Sequence, residues 1–318
     1  MLSVFYATTL QLGVSASSVW RSAVTLLLAI AACATYVSLI NDVSDRAEDA
    51  AAGKPNRIAG RSARTIAFVV ATPIAVGLAF VFLLRDDLLL VAWYLAAWAS
   101  FSLYSLPPFR LKARGILGVL ADASGAHLFP TLFAVVLAGR AANRPVSVGW
   151  LLACGVWAFA YGLRGIIWHQ LSDADSDRRV GVRTFVQIRS PQTVARFGTF
   201  LVFPVEVAAL GAMLLLLPGA IPAALLGVYA LFGIARTMAT DVNNIIVAPQ
   251  PHSRVVLSEY YECFLPIAVL SASALRHPLD WWVLAVHLLL FHRRPRNVLG
   301  DVWRIVRAAS AEGRGANR

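Results

Sequence analysis

Charge is what this sequence has least of: only 14% of its 318 residues are Asp, Glu, Lys or Arg, against 58% hydrophobic ones, and its mean hydropathy is +0.68. A soluble globular domain carries about a quarter charged residues, so a soluble fold is excluded. Repeated apolar runs of about 17 to 25 residues predict membrane-spanning helices instead. Cysteine is scarce as well. Cys33, Cys154 and Cys263 are odd in number, each lies inside an apolar run, and none has metal-ligand spacing. They read as core packing rather than as a disulfide or metal site. The first apolar run, residues 1–18, has no Lys or Arg ahead of its core, as a secretory signal would, and another apolar run follows at once. It reads as a first membrane helix.

Hydropathy places spans at about residues 2–19, 21–41, 65–84, 87–106, 115–138, 147–170, 194–217, 219–238 and 257–276. A tenth segment, 281–292, is short enough to lie in the interface as well as to cross. Lys and Arg accumulate on the cytoplasmic side of membrane proteins. The loops after the second, fourth, sixth and eighth spans hold 15 of them and the opposite loops 5, which puts the former, and the N-terminus, in the cytoplasm. The tail adds seven arginines from Arg293 to Arg318. It therefore prefers the same side, which takes an even number of crossings and makes the tenth segment a span. The expected architecture is an all-α polytopic bundle of nine helices, ten with this segment. It comprises a membrane domain at 1–292 and an Arg-rich cytoplasmic tail at 293–318. The net charge of +11 reflects this inside bias and attraction to anionic lipid, and no nucleic-acid partner is needed to explain it.

Acids are few but clustered. The second span ends in "NDVSDRAEDAAAGKPNR", residues 41–57, and continuing it as a helix puts Asn41, Asp42, Asp45 and Asp49 at spacings of three and four, along one face. Like charges so spaced repel unless a cation sits among them. Carboxylates with an Asn amide offer oxygen ligands that suit Mg²⁺, an ion often shared with phosphates. Solvated acids at a helix end are the plainer reading of one such cluster. A second cluster favours the site: "DADSDRR" at the end of the sixth span puts Asp173 and Asp177 one turn apart, with Asp175 off that face. Cations follow both clusters, at Lys54 and Arg57 and at Arg178, Arg179 and Arg183. Two acid clusters at one membrane face, each backed by cations, suit a metal-bridged diphosphate better than a carboxylate or a lone ion.

These motifs resemble those of the UbiA superfamily of intramembrane prenyltransferases. Residues 41–57 resemble its first aspartate signature, and "DADSDRRVGVRTF", residues 173–185, its second, with Gly181 and Thr184 following the acids. "YSLPPFRLKARG", residues 104–115, resembles the Tyr-to-Lys loop between them. Two departures stand out: "AAAG" separates Asp49 from Lys54, and Ile58 stands where a proline usually follows Arg57. The resemblance implies a central cavity open towards the cytoplasmic side of a cell or organelle inner membrane. It implies transfer of a prenyl group from a polyprenyl diphosphate to a lipophilic, often aromatic, acceptor, with no obligate protein partner expected. Asp42, Asp45, Asp49, Asp173 and Asp177 would then be the catalytic set and the Mg²⁺ ligands. Asn41, Lys54, Arg57, Tyr104, Lys112, Arg164, Gln170 and Arg178 would surround the diphosphate.

Other intramembrane polar residues carry weaker expectations. Arg164 lies about two turns inside the sixth span, where charge is costly and usually functional, and stepping to Gln170 and Asp173 keeps roughly one side. Asp122 and His127 lie in the fifth span and Glu206 in the seventh, where it is expected to pair with an arginine; the sequence assigns them no role. "TDVNN", residues 240–244, is placed to cover the site. Phosphoribosyl transfer onto a polyprenyl phosphate, or terpene cyclisation, are alternative reactions within the superfamily. An ion-coupled transporter is the alternative outside it, though its coupling acids are expected near the bilayer midplane on broken helices.

Overall fold

A computed structural model of the chain describes residues 1–315. Fifteen helices follow one another: α1 (Leu2–Gln11), α2 (Trp20–Ala52), α3 (Ala63–Leu83), α4 (Leu88–Ser105), α5 (Ile116–Ala123), α6 (Phe129–Ala141), α7 (Val148–Ser172), α8 (Ala174–Val180), α9 (Phe185–Ile188), α10 (Pro191–Phe197), α11 (Phe203–Leu216), α12 (Ile221–Ala239), α13 (Leu265–Ala274), α14 (Asp280–Leu290) and α15 (Arg293–Gly315). Two three-residue strands, β1 (Asn243–Ile245) and β2 (Ser253–Val255), pair in parallel after α12.

Three long helices carry a wider, π-type turn, at Ser124–Leu128, Gly198–Val202 and Tyr260–Phe264. Each turn ends just ahead of a proline: Pro130, Pro204 and Pro266 stand in the first turns of α6, α11 and α13. Proline has no N–H for the ordinary bond to the carbonyl four residues back, and the helix widens there instead of breaking. α5 with α6, and α10 with α11, thus make continuous rods. Polar caps fix other starts: Ser62 accepts from the Thr65 N–H, Asp87 from Leu89 and Leu90, and Ser147 from Trp150.

Among the described residues seven helical segments are long and apolar enough to cross a membrane: 17–52, 63–83, 88–105, 116–141, 148–172, 191–216 and 221–239. α1, expected to fill 2–19, has 10 residues, because the chain turns at Gly13 with positive φ. The ninth expected span consists of the π turn and α13, and the tenth is α14, with 11 residues. By length α1 and α14 are short helices packed into the bundle, whereas residues 258–274 are helical without a break, close to the expected 257–276. The core joins α1, α2, α4, α6, α7, α11 and α13, and a smaller one forms around Val119, Ile167, Val186, Val194 and Val247.

Several buried charges find partners across the bundle. Arg164 makes two bonds to Glu206, at 2.5 and 2.6 Å, and the Tyr261 hydroxyl donates a third to that carboxylate. Arg236 meets Glu259 at 2.7 Å and Asp301 at 3.1 Å. Asp280 accepts from the Ser15 and Ser273 hydroxyls and the Ala16 and Ser17 N–H groups, fixing the start of α14 beside the start of α2. Asp301 lies instead against the last turn of α12, so the chain between these two aspartates runs from one end of the bundle to the other.

Candidate active site

Nothing interrupts α2 between Trp20 and Ala52, which holds neither Gly nor Pro. Its 33 residues extend about 50 Å at ~1.5 Å per residue, well beyond a ~30 Å hydrocarbon layer. The last turns, carrying Asp42, Asp45, Glu48 and Asp49, project past the apolar zone. Gly53 ends the helix in the left-handed conformation (φ 67°), which only glycine adopts freely, and turns the chain back along it. The returning segment brings Asn56 onto the Asp49 carboxylate and the Asp42 carbonyl, both at 2.8 Å, and Arg57 onto the Asp42 carboxylate at 2.6 Å.

The second cluster stands where α7 bends into α8, with Asp173 at the junction. The two clusters meet. Asp45, Glu48, Asp49, Asp173 and Asp177 line one cavity of about 180 Å³, with Tyr104, His169, Gln170 and Thr184 in its wall. Among 28 basic residues the chain has two lysines, Lys54 and Lys112, and both line it. Lys54 Nζ is 3.6 Å from Asp173; Lys112 Nζ contacts Asp45 and lies 3.9 Å from Glu48, and Arg110 reaches Glu48 at 2.7 Å. Lys112 is held by close backbone packing. Gly118 leaves room for its turn: a Cβ there would come within 2.6 Å of the Leu111 carbonyl and 2.9 Å of the Lys112 Cα. Gly115 pairs with Thr184, tying this turn to the strand of chain after α8.

Acids and cations perturb one another in this cavity. Burial, then the charge of Asp173, raise the Asp177 carboxyl above its ordinary value, a cost that a bound cation removes. Burial lowers the Lys112 ammonium to about 8, with Asp177 acting the other way. The side-chain carbonyl of Gln170 and the hydroxyl of Thr184 are buried without a hydrogen-bond partner. Among the described residues no three Asp, Glu, His or Cys side chains stand close enough to enclose a metal by themselves. That spread of oxygens fits Mg²⁺, which keeps waters and completes its shell with substrate phosphates rather than requiring an all-protein cage.

Eight of the expected residues share this cavity, and five lie elsewhere. Asn41 receives a hydrogen bond from Ser105 and lines a separate apolar cavity of about 320 Å³ between α2, α4 and the α5–α6 rod, with Cys33, Trp93, Phe101 and Phe133. Asp42 and Arg57 pair with each other outside the acidic cavity, and Arg178 faces solvent 4.0 Å from Asp175. Arg164, expected beside the diphosphate, is spent on Glu206 and on the Ile246 carbonyl at 3.2 Å. It lines a third cavity of about 590 Å³ with Asp122, His127, Tyr161, Arg254 and Glu262, roofed by the loop that holds β1 and β2. Residues 253–255 of that loop form the wall there, while "TDVNN" turns towards α12 through Asn244 and Thr237. Glu48 and Thr184 also line the acidic cavity, beyond the residues expected from the sequence. Glu48 had a signal, standing three residues after Asp45 on the same helical face.

Comparison with known proteins agrees with this geometry. Two solved structures share the fold: a UbiA homolog from Archaeoglobus fulgidus bound to DMAPP and Mg²⁺, with TM-score 0.59 and 16% identity over 86% of this chain and 94% of that one, and a UbiA homolog from the same organism bound to GPP and Mg²⁺, with TM-score 0.57 and 17% identity over 89% and 95%. No curated protein matches. The sequence pattern of the UbiA prenyltransferase family matches residues 1–244, which include both acid clusters and the lysine turn between them, and the chain belongs to that family.

Proposed function

We propose that the protein transfers a prenyl group from a polyprenyl diphosphate to a lipophilic, aromatic acceptor, with Mg²⁺ and with release of diphosphate. One observation carries this reading: acids from two helix ends far apart in sequence meet in one cavity with the only two lysines of the chain. A multiply charged diphosphate held through Mg²⁺ suits that cavity, and both relatives of solved structure bind a prenyl diphosphate with Mg²⁺. Asp45, Glu48, Asp49, Asp173 and Asp177 would hold the metal, and Lys54, Lys112, Gln170 and Tyr104 the diphosphate. The apolar cavity beside Asn41, one helical turn from Asp45, would take the isoprenoid chain.

In this reading the allylic C–O bond breaks with its electron pair going to the diphosphate oxygen. Bound Mg²⁺ supplies charge neutralisation for that leaving group. Lys54 and Lys112 add fixed positive charge where negative charge develops. The allylic cation then bonds to a carbon of the acceptor ring, and the ring proton leaves to a base. The third cavity, lined by Tyr161, His127 and Asp122 and sharing His169 with the acidic one, offers the acceptor space. The membrane and the roofing loop keep competing water away.

The arginine asymmetry supports a cytoplasmic acidic cavity in an integral membrane protein. α1, α13 and the 281–292 segment then serve as further crossings of a domain at 1–292, followed by the 293–318 tail, whose residues 316–318 lie outside the described part. The test is product analysis with isotopically labelled prenyl diphosphate, purified protein and membrane lipid extract. The account predicts Mg²⁺-dependent diphosphate release coupled to a labelled prenylated lipid. Labelled terpene without acceptor would indicate cyclisation, and no consumption of prenyl diphosphate would contradict the proposal.

A further inference from the structure

The C-terminal helix α15 lies beyond the residues that match the family, and its surface has three distinct faces. At about 100° per residue, Arg294, Val298, Asp301 and Ile305 fall on one of them. This face meets the protein: Arg294 pairs with Glu262, and Asp301, 1% exposed, pairs with Arg236 at 3.1 Å and Arg254 at 3.8 Å. A second face carries Leu299, Val302, Trp303 and Val306, at positions i, i+3, i+4 and i+7, all exposed, Leu299 by 68%. The third carries Arg293, Arg296, Arg304 and Arg307. Fixed by its ion pairs, the helix cannot turn its apolar stripe inwards.

The same pairs set its place. Arg294 lines the cavity that shares His169 with the acidic one, and Asp301 meets Arg236 in the last turn of α12, so α15 packs at the end of the bundle that holds the acidic cavity. α12, against which it packs, shows an exposed apolar face of Leu231, Ile234 and Met238 up to its last turn. The α15 stripe is a second exposed apolar surface on a helix that packs against α12. The Arg307 guanidinium rests 3.5 Å over the Trp303 ring, at the border between the apolar and basic faces.

We propose that α15 is an in-plane membrane helix that docks on anionic lipid, with Leu299, Val302, Trp303 and Val306 in the boundary between headgroups and acyl chains and its arginines on headgroup phosphates. An apolar stripe beside a basic one, on a helix of low overall hydrophobicity, is the composition that binds such a surface. Trp at the boundary and Arg towards the phosphates follow the preferences of those side chains. The inference stands on α15 alone and is independent of the reaction proposed above.

Nitroxide labels test it in the full chain, because the three native cysteines are buried. Val302→Cys and Gly300→Cys place a label on the apolar and the basic face, and neither position is enclosed. The protein is reconstituted in bilayers of phosphatidylcholine, alone or mixed with phosphatidylglycerol. Relaxation by oxygen, which partitions into lipid, is compared with relaxation by a water-soluble nickel chelate. The expected result is oxygen dominating at position 302 and nickel at position 300, with the oxygen-to-nickel ratio at 302 rising severalfold when phosphatidylglycerol is added. Nickel dominating at both positions would put the helix in water. Low access to both reagents with spin–spin broadening would mean that a second copy covers the stripe. A ratio indifferent to lipid charge would remove the anionic partner. Any of these three results overturns the proposal.

Discussion

The ammonium of Lys54, which follows the first acid cluster, stands 3.6 Å from the carboxylate of Asp173, which opens the second. This contact closes the cavity between α2 and α7, and both groups are half-exposed. A pair of that kind contributes at most about 1 kcal/mol to folding. Its importance lies in what each group does when the cavity fills.

Lys54→Ala should therefore leave thermal stability in detergent nearly unchanged while raising KM for the prenyl diphosphate about tenfold or more, the equivalent of ~1.4 kcal/mol of lost binding. Steady-state kinetics beside a melting curve checks this. A lower melting temperature with an unchanged KM would assign Lys54 to the scaffold.

Lys112 predicts a pH dependence. Its ammonium, lowered to about 8 by burial, carries charge below that pH and loses it above. kcat/KM reports the free enzyme, so it should fall as pH rises through about 8. Lys112→Arg, which keeps its charge, should remove that alkaline limb even if its absolute rate is lower.

Gly118→Ala tests the packing that holds Lys112. The added methyl meets backbone rather than a movable side chain, 2.6 Å from the Leu111 carbonyl, so the turn must shift. Activity should drop roughly tenfold to a hundredfold, as expected when a catalytic group is displaced by about 1 Å. Gly211→Ala, in α11 with nothing within 4 Å, is the matched control and should retain activity.

Arg164 and Glu206 form a buried pair, so removing one partner leaves the other charged and unpaired. Arg164→Met should cost about 3–5 kcal/mol of stability, read as loss of folded protein, and Arg164→Met with Glu206→Leu should recover much of it. Failure of the double variant to recover, with a specific rise in KM for prenyl diphosphate in both, would return Arg164 to the substrate.

The acid clusters were legible because helical spacing is local: Asp45 with Asp49, and Asp173 with Asp177, follow directly from a period of 3.6. Glu48 was equally readable on that face. Asp42 shows where the spacing argument stops. Its carboxylate turns to Arg57 because Gly53 folds the chain back along α2, a reversal that no face count contains. The partner of Arg164 depends on α7 packing against α11, a contact between distant segments, although a buried arginine does announce that some acid must meet it. The helix length was misread at α1 because hydropathy registers apolar composition and not the turn at Gly13.

The central claim, that acids from α2 and from the α7–α8 junction act on one diphosphate through shared metal, is tested most directly by a double-mutant cycle on Mg²⁺-dependent diphosphate release. Asp49→Asn and Asp177→Asn should each slow release by on the order of a hundredfold or more. The double variant should be little worse than either, since groups that act as a unit are not additive. Asp175→Asn, whose side chain is 93% exposed outside the cavity, should stay near the wild-type rate. Full activity in either single variant, or strict additivity in a correctly folded double variant, would contradict the account and leave the two clusters as separate solvated helix ends.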